Sequence, residues 1–373
     1  MNPAKGEAYL EKLLRPSGVR INGDRPFDIR ITNNAFYHTA LPNGNMGILE
    51  AYIDGWWDTD QLDVLTDKVR SSGLDLPRGD KFSLLLAGLQ ARLFNRESRK
   101  RSKLVRQHYD LGNDLFSAML DQRMVYSCGY WKDARTLDEA QEAKLDLVCR
   151  KIGLKPGMHV LDIGCGWGSF CQYAAETYGV SVVGITLSKE QVKLGKERCA
   201  GLPVELRLMD YRELQNEMFD AVVSIGMFEH VGPKNHREYM KMVRRCLKPE
   251  GLFLLHTIGN ETTRQFSQPW VEKYIFAVGV TPSVKQIGEA CEGIFVVEDW
   301  HNFGPDYDKT LMAWYHNFDA HWPELRPQYG DRFYRIWTCH LLTAAGGFRA
   351  RKNQLWQLVL SPSGVRGGYH AIR

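Results

Sequence analysis

The sequence predicts a doubly wound α/β sheet preceded by a small, mainly helical domain. Three observations carry this. An apolar run, Val160-Leu161-Asp162-Ile163, breaks into glycines at every second position, Gly164, Gly166 and Gly168. A helical pattern from Ser169 to Tyr178 follows and closes on Gly179, a good helix stop. Beyond it, short apolar runs alternate with helical ones, the rhythm of parallel strands joined by crossover helices. Such sheets bind ligands at the C-terminal ends of their strands. Glycines there let the backbone approach a ligand where a Cβ atom would intrude.

Residues 1 to about 95 read as a separate domain. Phe27 to Ile31 alternates like a strand, and an aromatic-rich segment from Gly47 to Trp57 leads into helical patterns at 61–72 and 80–94. The pair Trp56-Trp57 reads as a core plug before a lipid or protein contact. From Arg92 to Arg106 the chain carries Arg92, Arg96, Arg99, Lys100, Arg101, Lys103 and Arg106 against the single acid Glu97. Residues 96–107 form a basic linker, either a solvated hinge or a contact for anionic phospholipid headgroups.

The second domain runs from 108 to 373. Thr136 and Glu139 form a capping box for a helix to about Ile152. After the glycine turn, Val180 to Ile185 is a strand, and Ser188 with Gln191 caps the next helix. Val204 to Leu208 and Phe219 to Ile225 are further strands, and Leu252 to His256 follows a helix at 235–247. The stretch from Gly259 to about Tyr307 breaks the rhythm and reads as a lid. The segment 311–342 reads as helical, and Leu355 to Leu360 as a late edge strand.

Composition sets outer limits. The 373 residues are 44% apolar and 25% charged, ordinary for a globular protein. A net charge of +4 gives no reason to expect nucleic acid as a partner. No run reaches the ~20 apolar residues that span a bilayer, and Met1 to Glu7 lacks the apolar core of a signal peptide. Eight cysteines show no C-x-x-C pair, which suggests neither a metal site nor a disulfide framework. The expectation is a cytoplasmic protein that meets a membrane, if at all, on its inner face.

The glycine spacing differs from both G-x-G-x-x-G and the phosphate-binding G-x-x-x-x-G-K-[ST] pattern. It resembles D-x-G-x-G-x-G, motif I of class I S-adenosylmethionine-dependent methyltransferases. That resemblance implies a Rossmann-like sheet and a cofactor at Asp162, Gly164, Cys165, Gly166, Trp167 and Gly168. Strand ends add Thr186, Leu187 and Ser188, then Asp210, Tyr211 and Arg212. Most of that class ends its second strand in an acid that holds the ribose. Here the place reads Ile185-Thr186-Leu187, and Gln191, one turn into the next helix, is the substitute.

A narrower resemblance rests on an ordered set of motifs. These are His108-Tyr109-Asp110, Tyr126-Ser127-Cys128, the glycine run, Gly226-Met227-Phe228-Glu229-His230-Val231-Gly232, His256-Thr257-Ile258-Gly259 and Asp299-Trp300-His301-Asn302-Phe303-Gly304. Together they resemble the cyclopropane-fatty-acyl-phospholipid synthases over nearly the whole chain. The N-terminal domain is similar to the bacterial phospholipid-modifying branch. One departure is local: where some relatives carry a cysteine before a G-x-F-R-A-R segment, this chain has Ala344-Ala345-Gly346-Gly347-Phe348.

The resemblance implies that an acyl chain's cis double bond attacks the sulfonium methyl of S-adenosylmethionine. A carbocation then loses a proton to bound bicarbonate so that the ring closes. It further implies that Cys128 and Ile258 present backbone N–H groups to that bicarbonate, and that Glu229, His256 and Tyr307 present side chains. Tyr126 and Ser127 match the family's cofactor contacts, and Tyr109, Tyr130, Tyr274 and Phe276 could face the cation. A homodimer on a phospholipid surface is also implied. By position alone Cys128 reads as a small buried hydrophobe, Glu229 as a helix-start acid and His256 as an even choice between core and site. Two other functions share these residues. One is a methyltransferase acting on a lipid or small-molecule heteroatom, the other a lipid-binding module without catalysis.

Overall fold

The computed structural model describes residues 3–74, 112–265, 268–275 and 279–373. The chain forms two compact units. One joins Met1–Phe94, Gln268–Ile275 and Tyr307–Asn353; the other joins Asn95–Ser267, Phe276–Asp306 and Gln354–Arg373. The uninterrupted domain expected over 108–373 is therefore corrected: the aromatic helical stretch from Tyr307 groups with the N-terminal segment. The expected boundary near 95, the basic linker, the 80–94 helix, Tyr109 and Phe276 lie outside the described residues.

The first unit is helical, as expected. Phe27 to Ile31 contributes only a two-residue strand, Arg30–Ile31, paired with Trp57–Asp58. The aromatic-rich segment becomes the helix Gly44–Ile53. Trp57 is the core plug, buried with its indole N–H on the Ile48 carbonyl. The helix Trp322–Arg349 breaks at Gly330, whose φ of 76° interrupts the helical path. Near its far end Gly346 faces the helix Leu62–Ser71; a Cβ there would meet the Asp63 carbonyl oxygen at 2.4 Å. Arg349 then forks onto Asp308 and reaches Asp63 at 2.8 Å. Gly346 therefore serves close helix packing.

The second unit holds a seven-stranded sheet built from β1 (His159–Ile163), β2 (Ser181–Thr186), β3 (Val204–Leu208), β4 (Phe219–Ile225), β5 (Leu247–Asn260), β6 (Val296–Asn302) and β7 (Asn353–Ser361). Its order is β3-β2-β1-β4-β5-β7-β6. Strands β1 to β5 pair in parallel and β6 pairs antiparallel with β7. Two expectations fail here. Leu355 to Leu360 is not an edge strand, because β6 covers its outer side and β7 is buried along nearly its whole length. The expected lid supplies that edge strand, together with the helix Val284–Cys291 packed on the core.

Period-two alternation divides the core. Leu161, Ile163, Val183, Ile185, Val222, Phe253 and Leu255 enter one cluster with Tyr239, Met240 and Val243 of the helix His236–Cys246. Val160, Val182, Ala221, Val223 and Leu254 enter the other with Leu145 and Val148 of α1 (Leu137–Lys151) and Phe170 and Ala174 of α2 (Ser169–Tyr178). Each buried Val, Leu, Ile, Phe or Met side chain among them is worth about 1.5–3 kcal/mol. Both faces are thus sealed, and the sheet's open ground is the row of strand ends.

Candidate active site

Where β1 ends, the chain turns through Gly164, Gly166 and Gly168 with φ of 86°, 55° and 79°. Only glycine adopts these angles without strain. The turn walls a cavity of about 1130 Å³, part of it open to solvent. Of the expected cofactor residues, Tyr126, Ser127, Asp162, Gly164, Cys165, Gly166, Trp167, Thr186, Leu187, Ser188, Gln191 and Tyr211 line this cavity.

Gly168, Asp210 and Arg212 are not among its lining residues. Gly168 starts α2 in the left-handed region, close to Leu206 and Cys199. Arg212 turns back to hold Asp210 and lines a separate hollow of about 490 Å³ with Asn235 and Glu238.

The cavity wall is polar in places. Thr186 donates its hydroxyl to Gln191 Oε1 at 2.7 Å and Ser188 caps its helix through the Gln191 amide. Asp162 is 2% exposed and burial raises its carboxyl to about 7. Trp167 donates its indole N–H to Asn113 at 3.0 Å, and Phe116 packs against both Trp167 and Tyr126.

Two residues that sequence reasoning passed over hold the Tyr126–Cys128 segment. Gln141 donates to the Ser127 carbonyl at 2.7 Å, and Lys144 donates to Ser127 Oγ at 3.0 Å. Both are fully buried on α1. Their signal was present: two polar residues at i and i+3 stand on the helix face that otherwise carries Ala140, Leu145 and Val148.

Elsewhere in the same unit, Glu229 and His256, which are not among the cavity's lining residues, are fastened to neighbouring strands. The Gly226 amide, following β4, donates to the His256 carbonyl, and the Ile258 amide donates to Glu229 Oε1 at 2.7 Å. This corrects the expectation for Ile258: its N–H already has an acceptor, the Glu229 carboxylate. Glu229 Oε2 is buried without a partner. Burial raises the Glu229 carboxyl to about 7, against the opposing pull of the Ile258 amide and the Thr257 hydroxyl. Gln357 Nε2 meets His256 Nδ1 at 3.2 Å. With that amide donating, a neutral imidazole carries its proton on Nε2, the second buried atom without a partner. Burial holds His256 well below its ordinary pKa.

The other expected residues are placed separately. Cys128 is fully buried and its thiol donates to the Gly129 carbonyl at 3.1 Å. Tyr307 belongs to the first unit, where its ring stacks on Phe348 and meets Trp314 edge-on. Tyr274 is in that unit too, its hydroxyl on Glu50. Tyr130 packs edge-on against Phe303, which in turn meets the His256 ring. Among the described residues no cluster of His, Cys, Asp or Glu is arranged to hold a metal ion, and no helix is long and apolar enough to cross a membrane.

Comparison with known proteins yields consistent matches. The family model described as mycolic acid cyclopropane synthetase matches residues 96–358. The chain is 55% identical to a cyclopropane-fatty-acyl-phospholipid synthase of Escherichia coli strain K12, over 97% of this chain and 94% of that protein. Among solved structures, the cyclopropane synthase MmaA2 from Mycobacterium tuberculosis aligns with a TM-score of 0.65 at 32% identity, covering 69% of this chain and 97% of that one. The mycolic acid cyclopropane synthase CmaA1 complexed with SAH and CTAB aligns at 33% identity with the same TM-score and coverage.

Proposed function

The chain belongs to the mycolic acid cyclopropane synthetase family, and from that membership we propose that it builds cyclopropane rings into the unsaturated acyl chains of membrane phospholipids. That it is an enzyme of the S-adenosylmethionine-dependent methyltransferase class, with the class I sheet, follows from the relatives and the fold together. The phospholipid substrate is carried over from the name of the Escherichia coli relative. The pair Glu229 and His256 is the observation that supports cyclopropanation most.

S-adenosylmethionine, when bound, supplies the electrophilic methyl carbon. The cavity at the glycine turn suits it: apart from its own chain neighbours, Gly166 has no protein atom within 4 Å of where a Cβ would stand, so the space beside it is left for a ligand. Tyr126, Ser127, Asp162, Trp167, Thr186, Leu187, Ser188, Gln191 and Tyr211 would hold it.

An alkene is a weak nucleophile, and the cation it forms is quenched by water. The site must therefore orient and dry the reacting atoms. Phe303 is buried beside His256 and Tyr130 packs on Phe303, and aromatic faces stabilise a passing cation.

The proton must then leave. The unpartnered Nε2–H of His256 is a donor and the unpartnered Oε2 of Glu229 an acceptor. Bicarbonate both accepts and donates hydrogen bonds, so the donor and acceptor character of these two atoms suits it. When bound, bicarbonate would supply a base that resists alkylation. Glu229, with its carboxyl near neutrality, takes up a proton and passes it on. Ile258 orients Glu229; contributions from Cys128 and Tyr307 rest on family resemblance.

Partner and location complete the proposal. Arg99, Lys100, Arg101 and Lys103 would meet anionic headgroups, placing the enzyme on the inner face of the membrane as a homodimer. The test is incubation with S-adenosylmethionine and vesicles of cis-unsaturated phospholipid, followed by proton NMR of the recovered lipid. Cyclopropane methylene signals are expected. Incorporation of an intact methyl group on a headgroup or other heteroatom would replace this reading with that of a heteroatom methyltransferase.

A further inference from the structure

The cavity wall contains a buried cation that the proposed chemistry leaves unused. Lys144 is fully buried and lines the cavity that Asp162 and Ser127 also line. An ammonium carries three N–H donors, and the hydrogen bond that Lys144 makes goes to Ser127 Oγ at 3.0 Å. Two donors remain without a described acceptor.

A buried cation with spare donors is costly unless something pairs with it. Two carboxylates stand near enough to influence it, Asp121 and Asp162. Asp121 is committed to the Val125 amide at 2.8 Å and the Arg123 amide at 3.0 Å. Asp162 accepts from the Cys171 thiol. Neither is hydrogen-bonded to Lys144. Desolvation accordingly lowers the Lys144 ammonium to about 8, which leaves it mostly protonated at neutral pH.

The hydroxyl of Ser127 is affected as well. An ammonium has no acceptor, so Ser127 Oγ receives its hydrogen bond from Lys144 and turns its own proton elsewhere. One end of the cavity thus presents a buried cation, a hydroxyl and a buried carboxyl. That is the complement of a zwitterion.

We infer that Lys144, with Ser127, binds the α-carboxylate of the ligand's amino-acid end, and that Asp162 faces its α-ammonium group. The inference rests on the proposal that this cavity takes S-adenosylmethionine, and it assigns Lys144 as the residue that distinguishes the complete cofactor from nucleosides lacking the amino-acid end.

The experiment compares two ligands by calorimetric titration: S-adenosylhomocysteine, which carries that end, and 5′-methylthioadenosine, which lacks it. Lys144→Met removes the charge and keeps the bulk. It is expected to weaken S-adenosylhomocysteine about 10- to 100-fold, the size of a charge-assisted hydrogen bond. Binding of 5′-methylthioadenosine should change less than about 3-fold. Equal losses for both ligands would reduce Lys144 to a prop for the Tyr126–Cys128 segment and overturn the inference, as would no loss for either. Should Lys144→Met fail to fold, Ser127→Ala keeps the cation and must show the same ligand-selective loss; a non-selective effect there overturns the inference too. If the wild-type protein binds neither ligand, the cofactor reading falls first and the inference with it.

Discussion

The Ile258 amide and the Glu229 carboxylate are joined at 2.7 Å, one strand end holding the acid that follows the next. The bond fixes Oε1 and leaves Oε2 buried and unpaired. The carboxyl is therefore pre-set, and it is also expensive to ionise.

That cost gives stability a pH dependence. The folded-state pKa of Glu229 lies at about 7 against an ordinary 4.5, so the folded protein binds the proton more tightly than the unfolded chain does. Its contribution is fully present below pH 4.5 and is lost as pH rises through 7. The shift corresponds to ~3 kcal/mol. Glu229→Gln cannot ionise and escapes this loss. Its melting temperature relative to wild type should therefore be higher at pH 8 than at pH 5, by differential scanning fluorimetry. A constant difference across that range would show that Glu229 is not strained by burial.

The glycine turn separates binding from folding. A Cβ at Gly166 meets no atom beyond its chain neighbours within 4 Å, whereas at Gly164 it would lie 2.9 Å from Met227. Gly166→Val should abolish S-adenosylmethionine binding in calorimetry with the circular dichroism spectrum kept, at some cost for its φ of 55°. Gly164→Val should lose both binding and stability. Unchanged affinity in folded Gly166→Val would remove the cofactor from this turn.

Membrane docking has its own test. Arg99, Lys100, Arg101 and Lys103 changed together to Gln should weaken sedimentation with anionic vesicles, at ~1 kcal/mol per basic residue near the surface. Salt should weaken wild-type binding in the same way, and cofactor affinity should stay constant. Equal sedimentation of the two proteins at low salt would return the stretch to a hinge.

Local signals were legible in the sequence wherever they are local in physics. The helix Ser169–Tyr178, the Thr136–Glu139 capping box and the strand Phe219–Ile225 stand where spacing and caps put them. Pairing order was not legible, because β7 looks the same to a one-dimensional pattern whether or not β6 covers it. The Val296–Asn302 run hid for a related reason: an edge strand with Val296 and Val297 exposed and Asp299 buried under Arg373 breaks strict alternation. At the site, motif residues were legible and their second partners were not. Nothing in the H-T-I-G run says that the Ile258 amide is spent on Glu229, and nothing in α1 alone says that Lys144 points at Ser127.

The central claim is that Glu229 moves a proton and does not hold the cofactor. The direct measurement is the rate of cyclopropane formation by Glu229→Gln on unsaturated phospholipid vesicles, with S-adenosylmethionine affinity determined on the same protein. A positioned acid–base group is worth ~10²–10⁴ in rate. The account predicts a loss of that order with affinity unchanged, poor rescue of the variant by added bicarbonate, and recovery of bicarbonate-depleted wild type on its addition. Wild-type turnover by Glu229→Gln, or a wild type indifferent to bicarbonate, would contradict it.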